Sequence, residues 1–460
     1  MSDLSDLHIA DLHTRAAKAG IGGYRLLRRE DLIERLEAAG TGKTDSPADG
    51  RGEGGDDGEQ AARPRRRGRR GGRGRGRGGR ERERLTNDEG EERAPARERQ
   101  GGRRKADDSD EEPAATEVVS GILEITRQRH GFLRLEGGSR EDDVYVSASQ
   151  VRRCELRAGD EVSGPARPPR RGERHRALVH VDQVNGADPQ EEGRSEFDSL
   201  TPVPPSRRIK LGEDAGVLAR SVDLLAPLAH GQRALIRATP HSGRTTLLRE
   251  LAQAIAAGGG AKLIVVLIDE LPEEIPAWSE ALPDAELALA PADLAPAEQV
   301  RIAEVALERG RRSAEAGEDA VLVCDSLSRL AVAADGVAEV KRLFGSGRDL
   351  AEEDAGSLTV IATAFDEGED EGSADRAVST TETALITLDA SLAEEEIAPA
   401  LRFGECRAEK VDALLAEEES SGLRNLRAKL ADLVPPEAAA FLREQIQGSA
   451  TNAELLKSLA

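Results

Sequence analysis

Cysteine is scarce in this chain of 460 residues, and its scarcity narrows the possible chemistry. The three cysteines, Cys154, Cys324 and Cys406, lie far apart and form no C-x-x-C pair. This spacing argues against a zinc site or a disulfide framework, and it is typical of a protein in a reducing compartment.

Long apolar runs are missing as well. The first residues, MSDLSDLHIADL, are acidic and do not resemble a signal peptide. No stretch approaches the ~18 apolar residues that a membrane-spanning helix needs. We therefore expect a cytoplasmic protein with no membrane partner.

Basic residues are outnumbered overall, 65 Lys and Arg against 87 Asp and Glu, but they are concentrated locally. The formal net charge is −22, which at first argues against a nucleic-acid partner. Residues 63–80, however, are nearly all Arg and Gly, whereas the C-terminal half is rich in Asp and Glu. Such a basic block attracts polyanions and can add salt-sensitive RNA affinity, or it serves only as a solubilising linker.

Hydrophobic patterning divides the first part of the chain into four segments. Helix-like spacing predicts a small helical domain over 1–40. Residues 41–116 lose all hydrophobic periodicity and are expected to form a disordered Arg/Gly-rich and acidic linker. Short alternating runs over 117–186 predict a small β-barrel of the OB type, and a Pro-rich linker follows over 187–206.

Strands and helices alternate in the remainder of the chain. Buried parallel strands with helical crossovers give this pattern, so residues 207–435 are predicted to form an α/β domain, followed by a C-terminal helical extension over 436–460. The strand-like runs are 234–236, 262–268, 320–324, 358–362 and 384–388, with helices at about 244–257, 296–316 and 337–344.

A candidate phosphate-binding turn follows the first of these strands. A P-loop needs G-x-x-x-x-G-K-[ST] here, because its backbone N–H groups and the helix N-terminus receive the phosphates. Gly243 and Thr245 match, but Ala238 replaces the first Gly and Arg244 the Lys. A glycine turn that merely caps a helix is the alternative. The candidate nucleotide contacts are Thr239, Pro240, His241, Ser242, Gly243, Arg244, Thr245 and Thr246.

Two further apolar strands end in carboxylates, Glu270 and Asp325. In a RecA-like motor one Asp holds Mg²⁺ through water, and a nearby Glu orients the attacking water. Asp325, together with Thr245, fits the first role and Glu270 fits the second. Either carboxylate alone is more often a solvated strand end, but two of them after a P-loop-like turn favour a motor that uses ATP and Mg²⁺.

These motifs, in this order, resemble the Rho family of bacterial transcription terminators. The resemblance implies an OB-type domain that binds single-stranded RNA, a RecA-like P-loop ATPase domain and a homohexameric ring, with RNA polymerase as a candidate partner. The matching motor segments are 224–233, 267–274, 300–304, 325–331 and 356–364. The matching barrel segments are 121–124, 131–134, 143–147, 149–153, 156–160, 167–169 and 172–174.

The resemblance also implies how the barrel contacts RNA. Exposed aromatic rings stack on bases, and Arg holds phosphate or base edges. For Phe132 and Tyr145 a place in the barrel core is the alternative. His130 and His175 stand where the family commonly has aromatics. The implied RNA contacts are Phe132, Arg134, Tyr145, Glu173 and Arg174.

Several motor residues depart from the family pattern. The loop that enters the ring centre in the family is short here, over 332–341, and the second RNA-contacting loop, 376–381, lacks its Lys. Leu271 replaces an Arg beside the catalytic Glu, and Glu396 replaces the family's second Arg. Arg407 stands at the position of the arginine finger and is the implied catalytic residue in trans.

The sequence therefore predicts a Rho-type terminator that binds nascent RNA and uses RNA-dependent ATP hydrolysis to translocate and release transcripts. Loss of an arginine finger lowers the rate about 10³–10⁵-fold in phosphoryl-transfer enzymes, so these departures bear directly on the rate of ATP hydrolysis. They leave an alternative open: a degenerate Rho paralogue, an RNA- and nucleotide-binding ring without effective motor activity. The barrel's match disfavours a third idea, a DNA-handling RecA relative.

Overall fold

The computed structural model describes residues 33, 36, 116–135, 140–189, 194–212, 214–366 and 373–460. The predicted helical domain over 1–40 and the predicted linker over 41–116 lie outside the described residues, apart from Ile33, Leu36 and residue 116. The chain divides after Arg103, and residues 104–460 form one compact unit that contains both the barrel and the α/β domain.

The first part of this unit is a closed β-barrel. Its strands run in the order β1-β2-β3-β5-β4, and the barrel closes because β1 also pairs with β4; β6 extends β4. Leu123, Leu133 and Val162 alternate inward and are fully buried, as the two-residue period of a strand requires. The predicted OB-type barrel is confirmed. The elements are β1 (Glu117–Ile125), β2 (Gly131–Leu135), β3 (Val144–Val146), α1 (Ala148–Arg153), β4 (Glu161–Arg167), β5 (Arg176–Leu178) and β6 (Gln183–Val184).

The second part is a nine-stranded sheet with helices on both faces. Strands β10, β9, β11, β13, β8 and β14 lie side by side in parallel, and β15 pairs antiparallel at the edge. Strand β12 pairs antiparallel with the start of β13 and with β7. The strands are β7 (Pro202–Val203), β8 (Arg233–Ala238), β9 (Lys262–Glu270), β10 (Glu286–Pro291), β11 (Asp319–Asp325), β12 (Arg348–Leu350), β13 (Ser357–Phe365), β14 (Ala384–Thr387) and β15 (Arg407–Ala408).

The helices of this part cover the sheet and extend to the end of the chain. None in the described ranges combines the length and apolar character that crossing a membrane would need. They are α2 (Val217–Leu225), α3 (Arg244–Gly258), α4 (Ile275–Ala281), α5 (Pro296–Glu315), α6 (Leu327–Ala333), α7 (Ala338–Gly345), α8 (Ala374–Val378), α9 (Ala390–Glu394), α10 (Val411–Leu414), α11 (Glu417–Ala431), α12 (Pro435–Gln447) and α13 (Asn452–Ser458).

The central strands are apolar on both sides because both sides are covered. In β9, Val265 and Leu267 pack into a cluster with α3 and the C-terminal helices, whereas Ile264 and Val266 pack into a second cluster with α5 and α7. A strand between two helical layers reads as a continuous apolar run rather than an alternating one. This arrangement confirms the predicted RecA-like α/β domain.

The segments before and after the sheet pack onto it. Phe197, in the stretch predicted as a linker, is buried and lies under the guanidinium of Arg348, 4.7 Å from the ring centroid. At the C-terminus, Leu442 and Leu456 join the cluster that contains α2, and Arg220 of α2 donates to the carbonyl of Ile446 at 2.8 Å. Both segments therefore contribute to the α/β core.

Helix α5 joins the barrel to the sheet. Gly159 of the barrel has φ +81°, and a Cβ at this position would meet the carbonyl carbon of Glu308 at 2.4 Å, so only glycine fits. Two arginines of α5 pair with barrel carboxylates: Arg309 with Glu161 at 2.6 Å, and Arg301 with Glu124 at 2.5 Å. These contacts fix the barrel against the α/β domain.

Candidate functional site

All six parallel strands end at one edge of the sheet, and four adjacent ones carry the predicted motor residues there. Strand β9 ends at Glu270, β11 at Asp325, β13 at Phe365 and β8 at Ala238, just before the P-loop-like turn. The strands are neighbours in the order β9-β11-β13-β8. Ligands of open α/β sheets bind outside the carboxyl ends of the strands, which is where these residues meet.

The P-loop-like turn is shaped by glycine and closed by a hydroxyl. Gly243 lies in the left-handed region, with φ +84° and ψ 17°, and caps α3. The Ser242 hydroxyl donates to the carbonyl of Thr239 at 2.7 Å and is buried, whereas Pro240 and His241 are exposed. Arg244, Thr245 and Thr246 form the first turn of α3. The positive end of the α3 dipole and its free N–H groups suit an anion.

Arg244 lies folded against the strand ends rather than in solvent. Its Nη2 is 3.3 Å from Oδ1 of Asp325, its guanidinium carbon is 4.6 Å from the ring centroid of Phe365, and its side chain is 10% exposed. Burial lowers the pKa of Arg244, and the Asp325 carboxylate opposes this shift. Asp325 also accepts a hydrogen bond from Thr363 at 2.9 Å, and burial raises its pKa despite the nearby arginines.

Three polar atoms around this turn are buried without a hydrogen-bond partner: Thr239 Oγ1, Arg244 Nη1 and Asp325 Oδ2. Buried polar atoms are normally paired, so these three are available to hydrogen-bond a bound group. Two of the atoms can donate to phosphate oxygens and the third can accept from Mg²⁺-bound water, so the residues fit a magnesium nucleotide. Within the described ranges no group of three His, Cys, Asp or Glu is arranged to hold a metal. Mg²⁺ is usually held by one or two carboxylates together with substrate phosphates.

Glu270 is buried and fixed in place by two contacts. Its Oε2 accepts from Nη1 of Arg329 at 2.9 Å, and its Oε1 accepts from the N–H of Leu271 at 3.2 Å. Arg329, on α6, also donates to the carbonyl of Ile268 at 3.3 Å. Sequence reasoning assigned no role to Arg329; its place four residues after Asp325 was the available signal. The Leu271 side chain points outward and is 49% exposed.

Arg407 lies two strands to the side of the P-loop turn, and Glu396 follows the short helix α9 after β14. Arg407 is on β15, the outermost strand, two positions from β8, and its Nη2 pairs with Oε1 of Glu382 at 2.9 Å. The Arg407 side chain is 57% exposed. Burial raises the pKa of Glu382, and Arg407 opposes that shift. Glu396 is exposed, with φ +57°. One chain therefore assembles the strand-end carboxylates but leaves Arg407 paired elsewhere.

The barrel carries a cluster of rings on its outer face. Phe132 of β2 and Tyr145 of β3 are cross-strand partners, and their ring centroids are 5.8 Å apart. His130 lies 5.6 and 5.4 Å from these rings, and His175 lies 5.2 Å from Phe132. The inward-facing positions beside them are taken by Leu133 on β2 and by the two buried valines of β3. Phe132 and Tyr145 are therefore not core residues. Tyr145 is 37% exposed.

Charged side chains border these rings. Arg134, two residues from Phe132 and on the same face of β2, pairs with Glu124 at 3.3 Å and with Asp143 at 3.4 Å. Glu173 accepts two hydrogen bonds from Arg167, at 2.6 and 2.8 Å. These bonds, with a third from the backbone N–H of residue 170, lower the pKa of Glu173 to about 2. Arg174, next in the chain, is exposed.

Two family models match the barrel and part of the α/β domain. Residues 119–190 match the Rho termination factor RNA-binding domain, and residues 219–348 match the nucleotide-binding domain of the ATP synthase alpha/beta family. A solved structure of an ATPase from a type III secretion system aligns with a TM-score of 0.48 at 20% identity, over 61% of this chain and 94% of that one.

Two curated relatives share the name transcription termination factor Rho. Transcription termination factor Rho from Aquifex aeolicus is 36% identical over 369 residues, which cover 74% of this chain and 84% of that protein. The Bacillus subtilis protein of the same name is 36% identical over 368 residues, with the same coverage of 74% and 84%. The chain belongs to the Rho family of transcription termination factors.

Proposed function

We propose that this protein is a Rho-type transcription termination factor that binds nascent single-stranded RNA and uses RNA-dependent ATP hydrolysis to translocate and release transcripts. One observation carries the proposal: the P-loop turn, Glu270 and Asp325 converge at one sheet edge, with buried polar atoms there that lack partners. RNA polymerase is the candidate protein partner, because a terminator acts on transcribing polymerase, and the expected location is cytoplasmic.

The nucleotide's phosphates would lie on the P-loop turn. The backbone N–H groups from His241 to Thr246 and Nη1 of Arg244 would donate to them, and Asp325 and Thr245 would hold Mg²⁺, Asp325 doing so through water. Mg²⁺, when bound, neutralises charge that develops on the phosphates. Glu270 would orient the attacking water, and Arg329 holds the carboxylate of Glu270 in place.

Chemistry in this motor would need a second subunit. Arg407 lies on an exposed edge strand, so it is accessible to a neighbouring copy. A homohexameric ring would place it against the neighbour's phosphates, where an arginine finger stabilises the transition state. To act in this way Arg407 has to leave Glu382, its partner within the chain.

RNA would bind on the outer face of the barrel. Phe132 and Tyr145 provide faces on which bases stack, a contact that tolerates many sequences. Arg134 and Arg174 hold the backbone or base edges, and Glu173 accepts hydrogen bonds from a base while remaining ionised at neutral pH.

A specific contact favours a second candidate, an RNA- and nucleotide-binding ring without effective motor activity. Arg244 pairs with Asp325, the carboxylate that would serve Mg²⁺, at 3.3 Å. A forked guanidinium engages a carboxylate more persistently than the compact ammonium of Lys. Leu271 and Glu396 further remove cations from the motor.

The two candidates are separated by ATP hydrolysis measured with and without poly(C) RNA. We expect RNA to increase the rate, and a Glu270→Ala variant to abolish it while still binding RNA. RNA binding without hydrolysis, if Arg244→Lys does not restore turnover, would contradict the motor and leave the second candidate.

A further inference from the structure

We infer that Phe365 is a positioning residue for nucleotide binding, whose ring holds the Arg244 guanidinium so that Arg can serve where P-loops carry Lys. The inference rests on the proposed nucleotide site. It goes beyond that site because it names one aromatic side chain as the reason that nucleotide can bind with Arg at the P-loop Lys position. The two residues lie 121 positions apart in the chain (365 − 244) and meet only at the sheet edge.

The strand order brings Phe365 under Arg244. Strand β13 lies between β8, which leads into the P-loop turn, and β11, which ends at Asp325. Phe365 is the last residue of β13 and is in register with Ala238, the last residue of β8. Thr363, two residues earlier on the same face, donates to Asp325 at 2.9 Å. One face of one strand thus supports both members of the Arg244–Asp325 pair.

The Phe365 ring restricts how the Arg244 guanidinium can turn. Nη2 of Arg244 lies 3.3 Å from Asp325, the guanidinium carbon lies over the Phe365 ring at 4.6 Å from its centroid, and Nη1 is buried without a partner. A cation over an aromatic face is held most firmly where water is excluded, and this side chain is 10% exposed. With the ring present, Nη1 remains free for a phosphate oxygen. Without it, the fork can turn and engage both carboxylate oxygens of Asp325.

A Lys at position 244 would be positioned much less by the Phe365 ring than Arg is. Its ammonium is a compact point charge with rotating donors, so it needs no planar support to reach a phosphate. The contribution of Phe365 to nucleotide affinity should therefore depend on which residue is at position 244. This dependence distinguishes positioning from ordinary packing, since packing would serve both cations equally.

The test is a double-mutant cycle on the full-length protein, with the Kd for mant-ADP measured with and without Mg²⁺. Phe365→Leu should raise Kd about fivefold when residue 244 is Arg, and less than twofold in the Arg244→Lys background. Phe365→Tyr, which keeps the aromatic face, should restore the wild-type Kd. Phe365→Met keeps the apolar volume without a ring, so it replaces Phe365→Leu if that variant does not fold.

Thermal unfolding and RNA-oligomer binding are recorded for every variant. Equal weakening of mant-ADP binding in both backgrounds, or full retention of binding in Phe365→Leu, would overturn the inference while leaving the proposed function intact. A folded wild-type protein that binds RNA but no mant-ADP at all would overturn the nucleotide site itself, and the inference with it.

Discussion

The barrel and the motor present their candidate contacts in opposite ways. On the barrel the rings of His130, Phe132, Tyr145 and His175 lie on the outer face with centroids 5.2–5.8 Å from their neighbours. Bases can stack there without displacing a buried partner. The barrel surface is thus prepared for its ligand within a single chain.

At the motor's edge the charged groups are buried and hold one another. Arg244 pairs with Asp325 and Arg329 pairs with Glu270; outside this edge Arg407, exposed on the outermost strand, pairs with Glu382. In the mechanism proposed above, Arg407 leaves Glu382 to act on a second chain, whereas Arg244 and Arg329 keep their carboxylate partners. This difference implies that substitutions in the ATPase domain can change the rate of ATP hydrolysis while the RNA-binding face of the barrel stays intact. The predictions below test this separation.

The largest effect is expected from Arg407→Ala. Loss of a finger that acts in trans should lower RNA-stimulated ATP turnover by about 10³-fold or more, with mant-ADP and RNA affinities within about twofold of wild type. Mixing Arg407→Ala with Glu270→Ala subunits should recover part of the rate, because some interfaces then combine an intact Glu270 with an intact Arg407. No recovery in mixtures that demonstrably form mixed rings would contradict action in trans.

Gly159→Ala tests whether the barrel and motor are one mechanical unit. The new Cβ would collide with the backbone of helix α5 near Glu308, and its φ of +81° is also unfavourable for Ala. We expect a loss of about 2–4 kcal/mol in the free energy of unfolding, measured by urea titration. Gly172→Ala is the matched control, since its φ is +94° but nothing lies within 4 Å. Equal losses in the two variants would show that docking on α5 contributes little.

Phe132→Ala should weaken the barrel alone. Removing a stacking face is expected to raise the Kd for an oligo(C) RNA about tenfold, measured by fluorescence anisotropy, with mant-ADP affinity unchanged. Val179→Ala serves as the control, because Val179 is an apolar barrel side chain that is 48% exposed. A similar loss in the control, or a parallel loss of nucleotide affinity, would break the separation between barrel and motor.

The smallest effect is expected for Arg174→Ala. If Arg174 contacts an RNA phosphate, its loss should weaken binding two- to threefold at ~0.15 M salt and reduce the slope of log affinity against log salt by about 0.7. Arg174→Lys should keep the slope, because it keeps the charge. An unchanged slope in Arg174→Ala would remove this residue from the RNA interface.

Much of the architecture was predictable because it depends on local periodicity. The strand expected over 262–268 is β9, Lys262–Glu270, and the helix expected over 296–316 is α5, Pro296–Glu315. Apolar runs bounded by Gly, Pro and charged residues identify such elements without tertiary information. The order of Gly243, Glu270 and Asp325 along the chain similarly favoured a RecA-like motor.

The sequence by itself determined the barrel, the α/β domain, the order of the motor motifs and the family. Only the tertiary structure decided which charges meet: Arg329 with Glu270, Arg407 with Glu382, and Arg244 with Asp325 over the ring of Phe365. Periodicity determines which face of a strand is buried, but the neighbour of a side chain depends on strand order and register. These are set by packing between segments that are distant in the chain.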